Sequence, residues 1–354
     1  MTASTQILPF STLPNGSGGN RLTPTAYAAL TTILAQGFQA GLAPSEQLNT
    51  VWAQSSFMAA GLANFCVAQG ISVPDDGNLT NLVTEIENAI SAFVSSTLPS
   101  RTKLLTNANF YVTTSGNDST GNGTSGAPWL TLQHAVNAVT SNYDGGGNNA
   151  TINLGTGSFA GANITQPFMG GTLYINGNGS SNTNITSAIV NNNNAIVIVE
   201  NATMATSGYG IQSYGGGSLV TVGAGMVFGA CTTAHLSAFA GGSIAFNAGY
   251  TVSGNTSVHL QAYDGGKIIN GQGALTVNIS TAVSITEFVA GNTGGIIDFQ
   301  SVTFTNPSNV TGQRYNANTL SIINTGSSGS ATYFPGSSPG TVNSGPGSNG
   351  GIYL

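Results

Sequence analysis

Apolar positions follow two rhythms along the chain. Between Thr23 and Phe93 they recur with a period near 3.6, the spacing of one helix face. Thr23 followed by Pro24 reads as an N-cap and first helical position, opening a helix to about Gln36. A second helix is predicted from about Glu46 to Gln69, with an apolar stripe of Leu48, Val51, Met58, Leu62 and Phe65. Pro74 to Asn78 breaks the chain before a third helix, whose Leu79, Val83, Ile86, Ile90 and Phe93 stand at spacings of 4, 3, 4 and 3. That is a heptad seam, and Ile at both core positions favours three strands over two. Two heptads serve equally well a helix packed within its own small bundle.

After a linker predicted around Pro99 to Asn107, the rhythm shortens. Phe110 to Thr113 alternates like a strand, a Gly/Asn cluster follows as a loop, and Leu130 to Val139 reads as a short amphipathic helix. Then the chain repeats itself. Anchors at Ala150, Gly171, Asn194, Gly217, Gly242, Gly266 and Gly295 lie 21 to 29 residues apart. Two positions after each stands an aliphatic residue: Ile152, Leu173, Ile196, Leu219, Ile244, Ile268 and Ile297. Three positions before four of them stands an aromatic one: Phe168, Tyr214, Phe239 and Tyr263. A repeat of this length turns three short strands, with Gly and Asn at the corners, and buries its apolar face only against the repeats above and below. Exposed edges of such a stack invite pairing, and closure into a trimer is one remedy.

Composition sharpens this picture. The chain carries 5 basic and 11 acidic residues, net charge −6, against 50 glycines in 354 residues. Charged residues make up 5 % where about 25 % is usual, which disfavours an ordinary helical enzyme and suits stacked β-structure. Five scattered cations cannot neutralise a phosphate backbone, so nucleic acid is not an expected partner. Phe57 to Val67, the most apolar stretch, is interrupted by Gly61 and Asn64, so no membrane insertion is expected. The first twenty residues show neither a basic n-region nor an apolar h-region, so no signal peptide is expected. Cys66 and Cys231 are expected as free, buried thiols.

The stretch "LTPTAYAALTTILAQGFQAGLAPSEQLNTVWAQSSFMAAGLANF", followed by "DDGN" and "LVTEIENAI", resembles the amino-terminal region of bacteriophage tail fibres. The resemblance covers roughly residues 8 to 95. It implies a head that joins the fibre to the virion through a phage tail or baseplate protein, with Trp52, Phe57 and Met58 at the attachment surface. The family's usual basic pair near Trp52 to Gln54 is missing. The order "FYVTTSGNDSTGNG", "TSGAPW", "LTLQHAVNAV" resembles the start of right-handed parallel β-helices of the pectate-lyase type, in which a helix caps the open end of the stack. From Gly312 the repeat fades, and 18 of the 26 residues from Gly326 to Gly351 are Gly, Ser or Pro. "RY", "IINTGSSGSATYFPG" and "GGIYL" are similar to the distal end of phage tail fibres. That resemblance implies a trimerising, receptor-facing tip, with Tyr333, Phe334 and Tyr353 as receptor contacts.

The expectation is a mainly β homotrimer in three parts: a helical virion-attachment head at 1–103, a right-handed parallel β-helix shaft at 104–311 and a Gly/Ser-rich β tip at 312–354. It would be a component of the virion, made in the host cytoplasm, released by lysis and adhering to a bacterial surface glycan. Two alternatives are a tailspike that cleaves a surface polysaccharide and a structural spacer carrying another receptor-binding protein. Cleavage needs two carboxyls roughly 5 to 9.5 Å apart. The acids within the repeats, Glu200, Asp264, Glu287 and Asp298, share no column, and the enzymatic alternative would fall to Glu287, Asp298 and Asp264. No cofactor is expected. His235 and His259 occupy equivalent positions in successive repeats and are expected to pack along a polar face, with no third ligand for a metal. Asp118 sits in what reads as a plain loop. The Tyr214, Phe239 and Tyr263 column fits either a ladder in the core or an external platform for sugar rings, and the aliphatic column beside it favours the core.

Overall fold

The computed structural model describes residues 22–37, 41, 44–97, 101–192, 194–326, 329–343 and 350–354. The start of the predicted linker, from Pro99, and parts of the Gly/Ser-rich tip lie outside these residues. The chain divides into two compact units, Met1–Ser100 and Arg101–Leu354.

The first unit is helical. Thr23 accepts the Ala26 amide and caps α1, Pro24–Ala28, but Leu30 leaves helical geometry (φ −83°, ψ 59°). The single helix expected to reach Gln36 is therefore two, with α2 at Thr31–Gln36. α3, Ser45–Ala68, and α4, Leu79–Thr97, match the predicted second and third helices. Asn78 opens α4 by accepting the amides of Thr80 and Asn81. The predicted stripe on α3 is not its buried face. α3 buries Thr50, Ala53, Ala60, Ala63 and Cys66, and leaves Met58 and Leu62 exposed. Small residues let α4 approach closely, with Ala89, Leu82 and Ile86 packed against Ala63, Cys66 and Val73.

The second unit is a parallel β-solenoid of about eight turns, with sheets of ten, seven and eight parallel strands as its three faces. Each face is a ladder between successive rungs. One column runs Leu173, Val197, Val220, Ile244, Ile268, Ile297 and Ile323, all fully buried. Four of the seven predicted core aliphatics belong to it. Ile152 is also buried but pairs one step along the same face, with Ile175. Ile196 and Leu219 are off by one, because each precedes a valine and the alternation turns Val197 and Val220 inward instead. The ladders continue past Gly312, where the repeat fades in sequence: Val310–Ala317, Ile322–Asn324 and Ile352–Tyr353 add strands to the existing sheets.

Stacking explains the missing charge. A residue type repeated at one position faces itself about 4.8 Å away in the next rung. Like charges there repel, whereas amides pair. Asn153 and Asn176 face each other in this way, bonded at 3.0 Å, and Asn109 and Asn201 extend the line of amides from neighbouring positions at 3.1 and 2.8 Å.

The amino-terminal end of the stack is covered by α5, Leu132–Asn142, which buries Leu132, Ala135, Val136 and Val139. Thr131 caps it, and Asp118 is no plain loop residue. Its carboxylate accepts the Leu130 and Thr131 amides and the Thr131 hydroxyl. Burial pushes the Asp118 carboxyl up, but the Thr131 and Leu130 bonds outweigh it and hold the group below its ordinary range.

Candidate functional site

One corner of the solenoid repeats in three successive rungs and brings an aromatic residue to the same place each time. Strands 209–214, 234–239 and 256–263 end at Tyr214, Phe239 and Tyr263, and each is followed by a left-handed turn. The turns read Gly215, Ala240–Gly241 and Asp264–Gly265, with φ of 81°, 50° and 82°, and 50° and 74°. The next residue must be glycine, since a Cβ at Gly242 or Gly266 would strike the Ser213 or Ala238 carbonyl of the rung below. The three rings pair in strict register.

These rings lie on the outside, contrary to the core ladder favoured from sequence. Tyr214 is 43 % exposed, while Phe239 and Tyr263 are half-buried. Phe168, the fourth member expected in the column, is instead a buried core residue outside these strands. The inward aliphatics of the same strands are Leu236 and Leu260, and alternation places the aromatics opposite them. Tyr214 meets Phe239 edge-on at 4.4 Å, and Phe239 and Tyr263 stack at 5.0 Å and 5°. Burial first, and then the neighbouring Tyr209, push the Tyr263 phenol up to about 12.

Beyond Tyr263 the ladder stops. The next rung offers Asn292 and Thr293 after a strand ending in Gly291, and a groove of about 410 Å³ opens there. Ala290 and Gly291 line it together with Gln261, Asn292, Asn316, Asp264 and Glu287. Ala290 stands in register between Gln261 and Asn316, so a small side chain replaces the amide of the neighbouring rungs. Asn316 donates to Glu287 at 2.8 Å and accepts from Thr341 at 3.1 Å. Reading the repeat for its own column five before each anchor, Gln212, Ser237, Gln261 and Ala290, would have flagged this gap.

Of the three acids named for catalysis, Glu287 and Asp264 line this one groove. Glu287 pairs with Val258, and its carboxylate leans along the strand to reach Asn316, which stands in register with Ala290 beside the groove. Asp298 belongs to the ten-stranded face, where Asn324 and Gln300 donate to it.

The residues named at the tip sit differently from the expectation of receptor contact. Phe334 is fully buried among Phe288, Phe299 and Phe304. Tyr333 donates to the Phe299 carbonyl and accepts the Val302 amide. Tyr353 donates to the Ser330 carbonyl and stacks on Tyr315 at 3.8 Å. Phe334 is thus a core residue and no surface contact, whereas Tyr333 and Tyr353 are half-buried and keep part of their rings at the surface.

His235 and His259 stack as expected but inside, not along a polar face. Strands 234–239 and 256–263 carry them on successive rungs against Phe228, and both are fully buried. Their bonds define one direction. His235 Nε2–H donates to the Gly229 carbonyl at 2.8 Å, which leaves its Nδ1 to accept from His259 Nδ1–H at 2.9 Å. His259 Nε2 then accepts the Tyr250 hydroxyl at 2.9 Å. Both rings are satisfied while neutral. Burial pushes His235 down to about 4, and burial together with its neighbour His235 drives His259 well below the ordinary value. Among the described residues, no three His, Cys, Asp or Glu side chains are grouped to hold a metal ion. Cys66 and Cys231 are free and buried.

In the head, Trp52, Phe57 and Met58 are all exposed, and Phe57 and Met58 line an apolar groove of about 580 Å³ with Leu62 and Phe65. The heptad seam of α4 is also largely exposed: Leu79, Val83, Ile90 and Phe93 face outward. The chain matches no family model, no curated protein and no solved structure.

Proposed function

We propose that this chain is a non-enzymatic bacteriophage tail fibre of the virion. It would assemble as a homotrimer through the head, dock there on a tail or baseplate protein, and adhere to a bacterial surface glycan through the solenoid. The observation that carries this reading is the division of labour between the two units. The solenoid buries its own large side chains and presents uncharged amide ladders and an aromatic ladder outward, while the helical head leaves a heptad seam and a second apolar groove exposed. Exposed apolar surface on this scale marks an interaction face. Three copies per fibre would multiply weak contacts into firm attachment. The engagement of Glu287 by Asn316, and the location of Asp298 on another face where Asn324 and Gln300 donate to it, support adhesion over turnover.

The test is to incubate the purified full chain with bacterial cells and their extracted surface polysaccharide, following retention and the release of new reducing or unsaturated ends. Retention without new ends is expected. New ends would overturn the non-enzymatic reading, and absence of both signals would favour a spacer that carries another receptor-binding protein.

A further inference from the structure

We propose that the groove beyond Tyr263 is a binding site for an uncharged glycan, with one sugar ring continuing the aromatic ladder where the protein's own rings stop. This rests on the adhesive reading above and names the place and the ligand chemistry. Rings parallel to within 5° at 5.0 Å overlap face to face, so one face of Tyr263 is covered by Phe239. Its other face looks to the next rung, where strand 283–291 ends in Gly291 with no aromatic to extend the stack. The groove occupies that vacancy, with Ala290 and Gly291 in place of large side chains.

A pyranose fits this setting for two reasons. It offers an apolar C–H face that stacks on an aromatic ring, and a rim of hydroxyls that needs acceptors and donors at the walls. Asp264 and Glu287 supply acceptors, since a carboxylate has about four lone-pair sites and Asn316 takes one of those on Glu287. The ring is set before any ligand arrives, because Phe239 stacks on one of its faces and the glycine corner fixes its backbone. Such preorganisation spares part of the cost of binding. Charge narrows the ligand further. Among the described residues lining the groove there are two carboxylates and no cation, so sialylated, uronic or phosphorylated sugars are repelled and neutral or N-acetylated ones are not.

The experiment uses the full chain, titrated with laminarin, dextran and chitin oligosaccharides as neutral probes and polysialic acid as the anionic one. Binding is followed by saturation-transfer NMR and by adhesion to whole bacterial cells. At least one neutral probe is expected to bind, with a loss of tenfold or more in both Tyr263→Ala and Ala290→Arg. The second variant fills the groove without touching the ladder, so it keeps the test alive if the first fails to fold. Tyr174→Ala, on another face, is expected to leave binding unchanged. Cell adhesion that both groove variants preserve would overturn the site while the adhesive reading stands. Neutral-probe binding that depends on Tyr263, in a chain that adheres to no cell, would keep the site and sink the adhesive reading. Preference for polysialic acid, or no binding by any neutral probe, would overturn the site.

Discussion

In the solenoid, Phe228, Phe246, Phe288 and Phe299 are buried to 1 % exposure or less, while amide side chains and one short aromatic ladder face outward. In α3 of the head the arrangement is reversed: Ala53, Ala60, Ala63 and Cys66 are inside, and Trp52, Phe57, Met58 and Leu62 are outside. A parallel stack supplies each rung with neighbours above and below, so large side chains find partners within one chain. Two helices have only one shared seam, and close packing through alanines uses it up. The large residues are then left for a surface that the single chain does not provide.

The comparison breaks first where the solenoid interior is hollowed. Phe246, stacked on Tyr250 and edge-on to Phe299, should cost about 3 to 5 kcal/mol as Phe246→Ala, read from the shift in denaturant midpoint. Met58→Ala in the head should stay within about 0.5 kcal/mol by the same measurement. Equal effects at the two positions would erase the contrast.

Next in size is acidity, which acts on the one polar line inside the solenoid. His235 and His259 are neutral when folded and take up protons more readily when unfolded, because burial depresses both. Their contribution is fully present above about pH 6.5 and is lost as the pH falls from there to about 4. Each tenfold difference in proton affinity between folded and unfolded chains is worth about 1.4 kcal/mol, so His235 alone accounts for roughly 3 kcal/mol. Urea melts at pH 7 and pH 4 should differ by at least that much, and the His235→Gln, His259→Gln double variant should flatten the difference. A wild-type midpoint that does not move with pH would contradict neutral, buried rings.

Smaller still is the corner. Gly266→Ala places a Cβ against the Ala238 carbonyl and should cost about 1 to 3 kcal/mol in thermal melts. Gly265→Asn, at φ 74° and with open space around its Cβ, should cost less than Gly266→Ala. The reverse order would mean that backbone angle, not close approach, dictates this turn.

The stack is legible in sequence because Leu173, Ile244, Ile268 and Ile297 each hold the inward position two residues past their anchors. Ile196–Val197 and Leu219–Val220 are apolar doublets, and a doublet does not say which member faces inward. Tyr214, Phe239 and Tyr263 are legible as a column but not as a surface, since period-two alternation fixes which residues share a side and not which side is wet. The histidines stand four residues before the last two of those aromatics, so alternation alone puts them outside, whereas both are buried against Phe228. Phe334 misleads because its Gly and Ser surroundings look like a flexible tail, whereas the strands closing over it come from distant residues. The walls of the groove stay hidden in sequence for the same reason: Asp264, Glu287 and Asn316 come from three successive rungs.

The most direct measurement is the molar mass of the full chain in solution by light scattering, for the wild type and for Val83→Asn, Ile90→Asn on the exposed seam of α4. The wild type should have the mass of three 35.5 kDa chains, and the variant the mass of one with the solenoid melting unchanged. A wild type with the mass of a single chain, or a variant that keeps the mass of three, would contradict assembly through the head.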